Sequence, residues 1–287
     1  MKMICSKTFG SCATSLLATP AIALLVLALA ALSVRSVTAG EDDDQAYVIS
    51  ASNQFGIVNI ETGHFKLIGN TPEPLSGLGQ VHGVLYGLDA DNNLITINPA
   101  SATTKVVGNI GLPVSPGGNV TLLASLGHRL YAIDPNNNLY RINPSTGAAT
   151  LVGSTGIAAP DFNTCGCVTA NSLAGGEGGL FFTWEVVDDT SGSVLVPSTL
   201  YRIDTKTGHA TAIGPTDSSG PIVGAGFVGD ELYGFTFGAA VSLPNQILEL
   251  DTETGKAEFV ADQSASLDVV FGASDGRSLR LHHGKGH

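Results

Sequence analysis

Residues 130–153 read LYAIDPNNNLYRINPSTGAATLVG, and this stretch decides the fold. Short apolar runs alternate in it with two groups of turn-forming residues, DPNN at 134–137 and PSTG at 144–147. Asp, Asn and Gly favour tight turns because their side chains bond the local backbone or tolerate a positive φ, and Pro presets φ for a turn. The stretch therefore predicts three consecutive β-strands joined by tight turns.

The same pattern occurs in four other parts of the chain. These copies span 47–69, 85–108, 180–185 together with 200–214, and 232–261. The residues that close the five copies are Gly69, Gly108, Gly153, Gly214 and Ala261, at intervals of 39, 45, 61 and 47 residues. Intervals of this size are typical of β-propeller blades rather than of short solenoid repeats.

A further strand-like run accompanies each copy and supplies the fourth strand that a propeller blade needs. The runs are 75–81, 120–126, 172–176, 224–228 and 267–272. The first copy has no run before it, whereas the last run stands near the C-terminus. We therefore expect an all-β fold, a propeller of five four-stranded blades in which the N- and C-terminal segments share one blade. A strand at 277–281 would instead give six blades or a different closure.

The repeat resembles the LYxIDPxTGxxTxVG blades of exported bacterial β-propeller proteins. The resemblance extends from about Tyr47 to Gly272. It implies a fold and no catalytic residues, because similar blades serve binding proteins, scaffolds and some enzymes.

The N-terminus has the features of an export signal. Lys2 and Lys7 precede an uncharged stretch at 8–34, and the small residues at 37–39 suit cleavage after Ala39. The uncharged stretch is also long enough for an uncleaved membrane anchor, which remains the alternative. Both interpretations predict a secreted or periplasmic protein. The predicted organisation is the leader at 1–39, an acidic linker at 40–45, the propeller at 46–276 and a basic, histidine-containing tail at 277–287.

Charge and cysteine content narrow the choice of partners. The chain has 25 acidic and 13 basic residues, a net charge of −12, which would repel nucleic acid. We therefore expect an extracellular glycan or protein as partner, and membrane contact only through an uncleaved N-terminus; the sequence leaves the oligomeric state open. Cys165 and Cys167 are the cysteines left after cleavage, and an oxidising compartment favours a disulfide between them. That bond would be either structural or a redox pair.

The fourth copy departs most from the repeat, with long segments at 154–171 and 187–199. Insertions into repeats often carry function. The candidate ligand-binding residues in and beside them are Asp161, Asn163, Trp184, Asp188 and Asp189. Trp184 would stack on a sugar ring, or alternatively pack between blades.

Acidic residues also occur in four of the five connections between blades. They are Glu73, Asp161, Asp217 and Asp262. If they converge at the mouth of the central channel, they would bind either Ca²⁺ as a cofactor or a hydroxyl-rich ligand. We expect no other cofactor. The alternative is that each acid simply shapes its own loop.

Two segments, 89–93 (DADNN) and 134–138 (DPNNN), place oxygen-bearing side chains as a calcium loop does. The glycine and the terminal glutamate of such a loop are missing, and the repetition predicts hairpin turns instead.

No segment carries a recognisable catalytic motif. His82 and His128 fall in predicted turns on the face opposite the connecting loops, where we expect a solvated role. The leading hypothesis is an exported, non-catalytic binding or scaffold protein for a glycan, a protein or the cell envelope. The alternative is a hydrolase or lyase acting on carbohydrate, with Asp161, Asp217, Asp262 or Asp268 converging at the channel mouth.

Overall fold

The computed structural model describes residues 44–113, 120–161, 164–176, 178–238, 244–267 and 269–274. All of them belong to the compact unit Gly40–His287. These ranges contain twenty β-strands and no α-helix, so the predicted all-β class is confirmed. A search of the same ranges for an apolar helix of membrane-spanning length finds none. The predicted leader, most of the acidic linker, the strand at 277–281 and the tail lie outside the described residues.

The strands form five antiparallel sets of four, numbered here along the chain. Set 1 contains β1 (Gln45–Ser50), β2 (Gln54–Asn59), β3 (Phe65–Asn70) and β20 (Val270–Ser274). Set 2 contains β4 (Leu75–Val81), β5 (Val84–Asp89), β6 (Asn93–Ile97) and β7 (Thr104–Asn109). Set 3 contains β8 (Leu122–Leu126), β9 (Arg129–Ile133), β10 (Asn138–Ile142) and β11 (Ala149–Ser154).

The last two sets complete the fold. Set 4 contains β12 (Cys167–Gly176), β13 (Gly179–Asp188), β14 (Val194–Ile203) and β15 (Ala210–Pro215). Set 5 contains β16 (Ile222–Val228), β17 (Glu231–Thr236), β18 (Gln246–Leu250) and β19 (Ala257–Asp262). Sets 2 and 3 join into one eight-stranded sheet through a parallel pairing of β4 with β8 at Gly77 and Leu123.

The N- and C-terminal strands share set 1, because β20 pairs with β1. The run at 267–272 predicted this pairing, although the strand begins only at Val270. Leu267 still belongs to a turn, in which its amide donates to the carbonyl of Ser264 at 2.9 Å.

One strand from each set lies innermost: β4, β8, β12, β16 and β20. Each contacts the next in this order, and β20 contacts β4. Glycines allow these strands to approach closely: a Cβ at Gly77 would lie 2.5 Å from the carbonyl oxygen of Leu123, and one at Gly175 would lie 2.2 Å from that of Ser125. Any side chain at these positions would therefore collide with the neighbouring backbone.

Backbone hydrogen bonds also link successive sets at their outer strands. The first residue of an outer strand donates its amide to the loop that leaves the preceding set, as Ala149 does to Ile110 at 3.1 Å and Ala210 does to Thr155 at 2.9 Å. The amide of Ser264, after set 5, donates to Gly63 of set 1 at 2.9 Å. The last set is thus tied to the first.

The predicted hairpins at 89–93 and 134–138 are confirmed. One carboxylate oxygen of Asp89 accepts from the amides of Asp91 and Asn93, at 3.0 and 2.8 Å. Asp134 makes the corresponding two bonds in set 3. These carboxylates serve as turn acceptors, which explains their repetition without a metal ion.

Candidate functional site

Set 4 carries the largest departure from the repeat. Its strands β12, β13 and β14 have ten residues each, whereas every other described strand has five to seven. The pattern that set 4 shares with the other sets ends at a row of three paired residues, Asn171, Trp184 and Thr199. From Thr199 onward β14 also pairs with β15, and before it β14 does not. We call residues 164–170 and 185–198, which extend past this row, the projection.

The predicted disulfide joins Cys165 and Cys167 near the tip of the projection, where Cys167 pairs with Asp188. The amide of Cys165 donates to the carbonyl of Asp161 at 2.9 Å, and the amide of Asp189 donates to that of Gly166 at 2.9 Å. The disulfide loop is therefore hydrogen-bonded to the turn between β13 and β14, and each of these two loops stabilises the other.

Asp188 shapes the turn at the tip of the projection. Its Oδ1 accepts from the amides of Thr190 and Ser191, at 3.1 and 2.7 Å, and from the Ser191 hydroxyl at 2.8 Å. These bonds, first among them those from Ser191, lower the pKa of the Asp188 carboxyl because they favour its charged form. Asp189 beside it is exposed.

Trp184 belongs to the core. It is 2 % exposed and packs beside Phe182, with ring centroids 5.9 Å apart. The same cluster contains Tyr131 of set 3 and Val186 of set 4. The packing interpretation of Trp184 is therefore correct, and its ring is not accessible for stacking on a sugar.

An aliphatic stripe on β14 is the most exposed apolar feature of the projection. Val194, Leu195 and Val196 are 56 %, 53 % and 39 % exposed. On one side this segment pairs with β13, through Val187 to Val194 and Val186 to Val196. On the other side no strand of the described chain pairs with it, so both its side chains and one edge of its backbone face solvent.

Glu185 is a buried carboxyl in the same hairpin. It is 6 % exposed, and its Oε2 has no hydrogen-bond partner among the described residues. Desolvation raises the pKa of this carboxyl, since burial disfavours the charged form. Our sequence analysis did not select it, although a single acid within the apolar run LFFTWEVV at 180–187 is a visible signal.

The acids of the connecting loops have separate surroundings. Asp217 forms an ion pair with Lys256 of set 5, and Asp262 accepts a hydrogen bond from Gln246 at 3.4 Å. Glu73 is exposed, and Asp161 accepts backbone bonds through its carbonyl. No three His, Cys, Asp or Glu residues of the described ranges group closely enough to hold a metal ion. The predicted candidates Asn163 and Asp268 lie outside those ranges.

Two cavities lie along the inner strands. The one where these strands begin, of about 110 Å³, is lined by Ser76, Val120, Leu122, Thr169, Asn171, Val223 and Phe271. The one where they end, the end-side cavity, measures about 190 Å³, and its polar side chains are Gln80, Ser125 and Ser274. The described residues that line either cavity include no carboxylate, whereas a glycosidase needs two at one site.

Comparison with known proteins gives a distant structural likeness. No protein-family model matches the chain. No curated protein matches it either. The matching solved structures include a structural genomics protein of unknown function from Bacteroides thetaiotaomicron, with 14 % sequence identity and a TM-score of 0.40. The match covers 63 % of this chain and 53 % of that protein, so the chain spans about half of its length.

Proposed function

We propose that this protein is an exported, non-catalytic binding protein, and that it holds an extended segment of a partner protein along β14. In this proposal the five sets are the blades of a closed β-propeller. Support comes from the succession of contacts among the inner strands, from the pairing of β20 with β1, and from the bond between Ser264 and Gly63.

The observation that carries the binding function is the unpaired edge of β14. A strand edge presents backbone donors and acceptors to which a second chain can add. Natural proteins protect such edges with charged residues, prolines or bulges; residues 194–196 read VLV and carry no charge, although Pro197 follows them and the pairing with β13 is irregular at Val186. Pro197 ends the accessible stretch, because it has no amide to donate. The edge therefore suits a short extended segment with aliphatic side chains.

The negative charge of this protein indicates which other residues the bound segment of the partner contains. Asp188 and Asp189 lie at the tip beside the stripe, and the whole chain has a net charge of −12. Complementary charge speeds association and selects the partner. We therefore expect Lys or Arg in the bound segment, next to the aliphatic residues.

Export is supported by the sequence of the leader and by the disulfide. Disulfides persist in oxidising compartments and are rare in the cytosol. The Cys165–Cys167 bond lies near the tip of the projection that carries the proposed binding edge, so oxidation after export would stabilise the site.

The test uses a displayed library of random twelve-residue peptides as the probe. Peptides selected on the protein should carry alternating aliphatic residues and at least one basic residue. The double variant Val194→Lys, Val196→Lys should weaken their binding by about ten-fold or more, because two buried ammonium groups would lose hydration.

The matched control is Leu151→Lys, on the exposed outer strand of set 3, where the side chain is 60 % exposed. This variant should bind the peptides as the unmodified protein does, and both variants should keep its melting temperature. Selection of no peptide above background, or equal binding to the double variant, would refute the proposal.

A further inference from the structure

The side of the molecule opposite the projection contains a pair of histidines. His82 and His128 occupy two-residue turns after the inner strands β4 and β8, in sets 2 and 3. Their rings stack with centroids 4.8 Å apart and planes inclined by 14°. The residues are 46 positions apart in sequence and both are exposed, so the ring contact arises only from the packing of the two sets.

The local backbone holds this pair in place. The amide of Gln80, two residues before His82, donates to the Ser125 hydroxyl of β8 at 2.9 Å. That bond fixes the end of β4 against β8 just before both turns. The stacked rings therefore sit on a supported base and not on loose loops.

His82 also adopts an unusual conformation. Its φ is 51° and that of Gly83 is 77°, so both central residues of the turn are left-handed. Such turns strongly favour Asn, Asp or Gly. A non-glycine residue in this region costs about 1 kcal/mol or more, and such positions concentrate at functional sites. His82 is therefore less favourable at this position than Asn or Gly, and its imidazole lies against that of His128.

We propose that His82 and His128 bind a divalent transition-metal ion, of the class of Zn²⁺, Cu²⁺ or Ni²⁺. Imidazole nitrogen suits these ions, whereas Ca²⁺ and Mg²⁺ require oxygen ligands. In a tetrahedral zinc site the two nitrogens would lie about 3.3 Å apart, given zinc–nitrogen bonds of about 2.0–2.1 Å. The site therefore requires that the two exposed rings, now stacked with centroids 4.8 Å apart, rotate so that one nitrogen of each reaches that separation.

The site would be open. No third His, Cys, Asp or Glu of the described ranges joins the pair in a metal-binding group. The remaining coordination positions are therefore filled by water or by an exchangeable ligand. The neighbouring end-side cavity supplies polar groups, including Gln80 and Ser125, that can hold such molecules. This site is independent of the proposed binding edge on β14, which belongs to the other end of the inner strands.

The test is calorimetric titration with ZnSO₄, with CaCl₂ as the hard-ion comparison. The tail histidines His282, His283 and His287 carry the same metal-binding group, so the full chain used in the test carries His→Asn substitutions at these three positions. This background protein should bind one zinc ion per chain and no calcium at this site. Zinc at about 100 times its Kd should raise the melting temperature by about 5 °C, through binding to the folded state.

In the same background, His82→Asn and His128→Asn should each weaken zinc binding by about ten-fold or more. Asn is favoured at a positive φ, so the metal-free melting temperature of the His82 variant should be no lower than that of the background protein. His209→Asn, which removes an exposed histidine from set 4, is the matched control and should bind zinc normally. Anomalous scattering from zinc-soaked crystals locates the ion directly, even if a variant fails to fold.

Two results would overturn the assignment. One is the lack of saturable zinc binding by the background protein. The other is zinc binding that survives in the double variant His82→Asn, His128→Asn, since the ion would then be held elsewhere.

Discussion

Sets 3 and 4 are built from the same repeat, yet they present different surfaces. Leu139 in β10 and Leu200 in β14 occupy the same repeat position, and both are fully buried. Before this shared part, β10 begins directly after the compact Asp134 turn, whereas β14 begins farther out, in the projection. The repeat therefore determines how the sets pack, and the extra residues of set 4 form an exposed surface that set 3 lacks.

The extension also needs bonds of its own. The Asp134 turn of set 3 is held by the carboxylate that the repeat provides. In set 4 the longer hairpin uses Asp188, together with the disulfide between Cys165 and Cys167. The residues outside the repeat are thus stabilised by bonds of their own. These bonds can be removed without changing the contacts between the sets.

The largest expected effect comes from breaking the contact between the two sets. In Gly175→Val the new side chain would collide with the carbonyl of Ser125, since a Cβ alone would be 2.2 Å away. We expect a loss of about 3 kcal/mol in the free energy of unfolding, measured by urea titration. Gly166→Ala is the control, because its Cβ meets nothing within 4 Å. It should cost about 1 kcal/mol, for its φ of 56°. Equal losses would contradict the close approach of β12 to β8.

A smaller effect is expected from removing the reinforcement that set 4 alone contains. The double substitution Cys165→Ser, Cys167→Ser should lower the free energy of unfolding by about 1.5 kcal/mol, the loop-closure entropy of a very short loop. Reduction of the unmodified protein by dithiothreitol should produce the same loss. A variant that is as stable as the oxidised protein would show that the hairpin does not depend on this bond.

The smallest effect concerns the buried carboxyl that has no counterpart in set 3. Burial raises the pKa of Glu185 in the folded state, so the unfolded chain ionises first as the pH rises. The free energy of unfolding of the unmodified protein should therefore fall, relative to that of Glu185→Gln, as the pH rises above about 4.3, the pKa of a glutamate in the unfolded chain. The fall should stop once the carboxyl of the folded protein also ionises. We expect the variant to be more stable by about 1 kcal/mol at pH 8 and equal at pH 3.

Thermal melts across this pH range provide the measurement. Glu73→Gln, which removes an exposed carboxyl of the same charge, is the matched control. A stability difference for Glu185→Gln that is constant with pH would contradict the desolvation of this group.

The parts of the fold that sequence predicts well are those that the repeat specifies. The run at 75–81 matches β4 at both ends, because His82 and Gly83 form the turn that ends it. The run at 172–176 fell short of β12, which begins at Cys167. The residues at 167–171 read CVTAN, a stretch of mixed polarity without a continuous apolar run, and they form a strand through pairing with β13.

Site geometry was less predictable for a physical reason. The carboxylate of Asp134 bonds amides within four residues, so local sequence specifies its role. The stacking of His82 on His128 and the burial of Glu185 depend on strands that are distant in sequence. Composition and spacing do not predict such long-range contacts, which result from the packing of whole sets.

The pairing of β20 with β1 has a consequence for how the chain acquires its structure. Val48 faces Ala273 across this pair, so two segments 225 residues apart must meet before set 1 is complete. During synthesis the edge of β1 has no partner until the last part of the chain has left the ribosome. Contacts of such long range make folding slow. Truncation that removes β20 would therefore leave β1 with an unpaired, aggregation-prone edge.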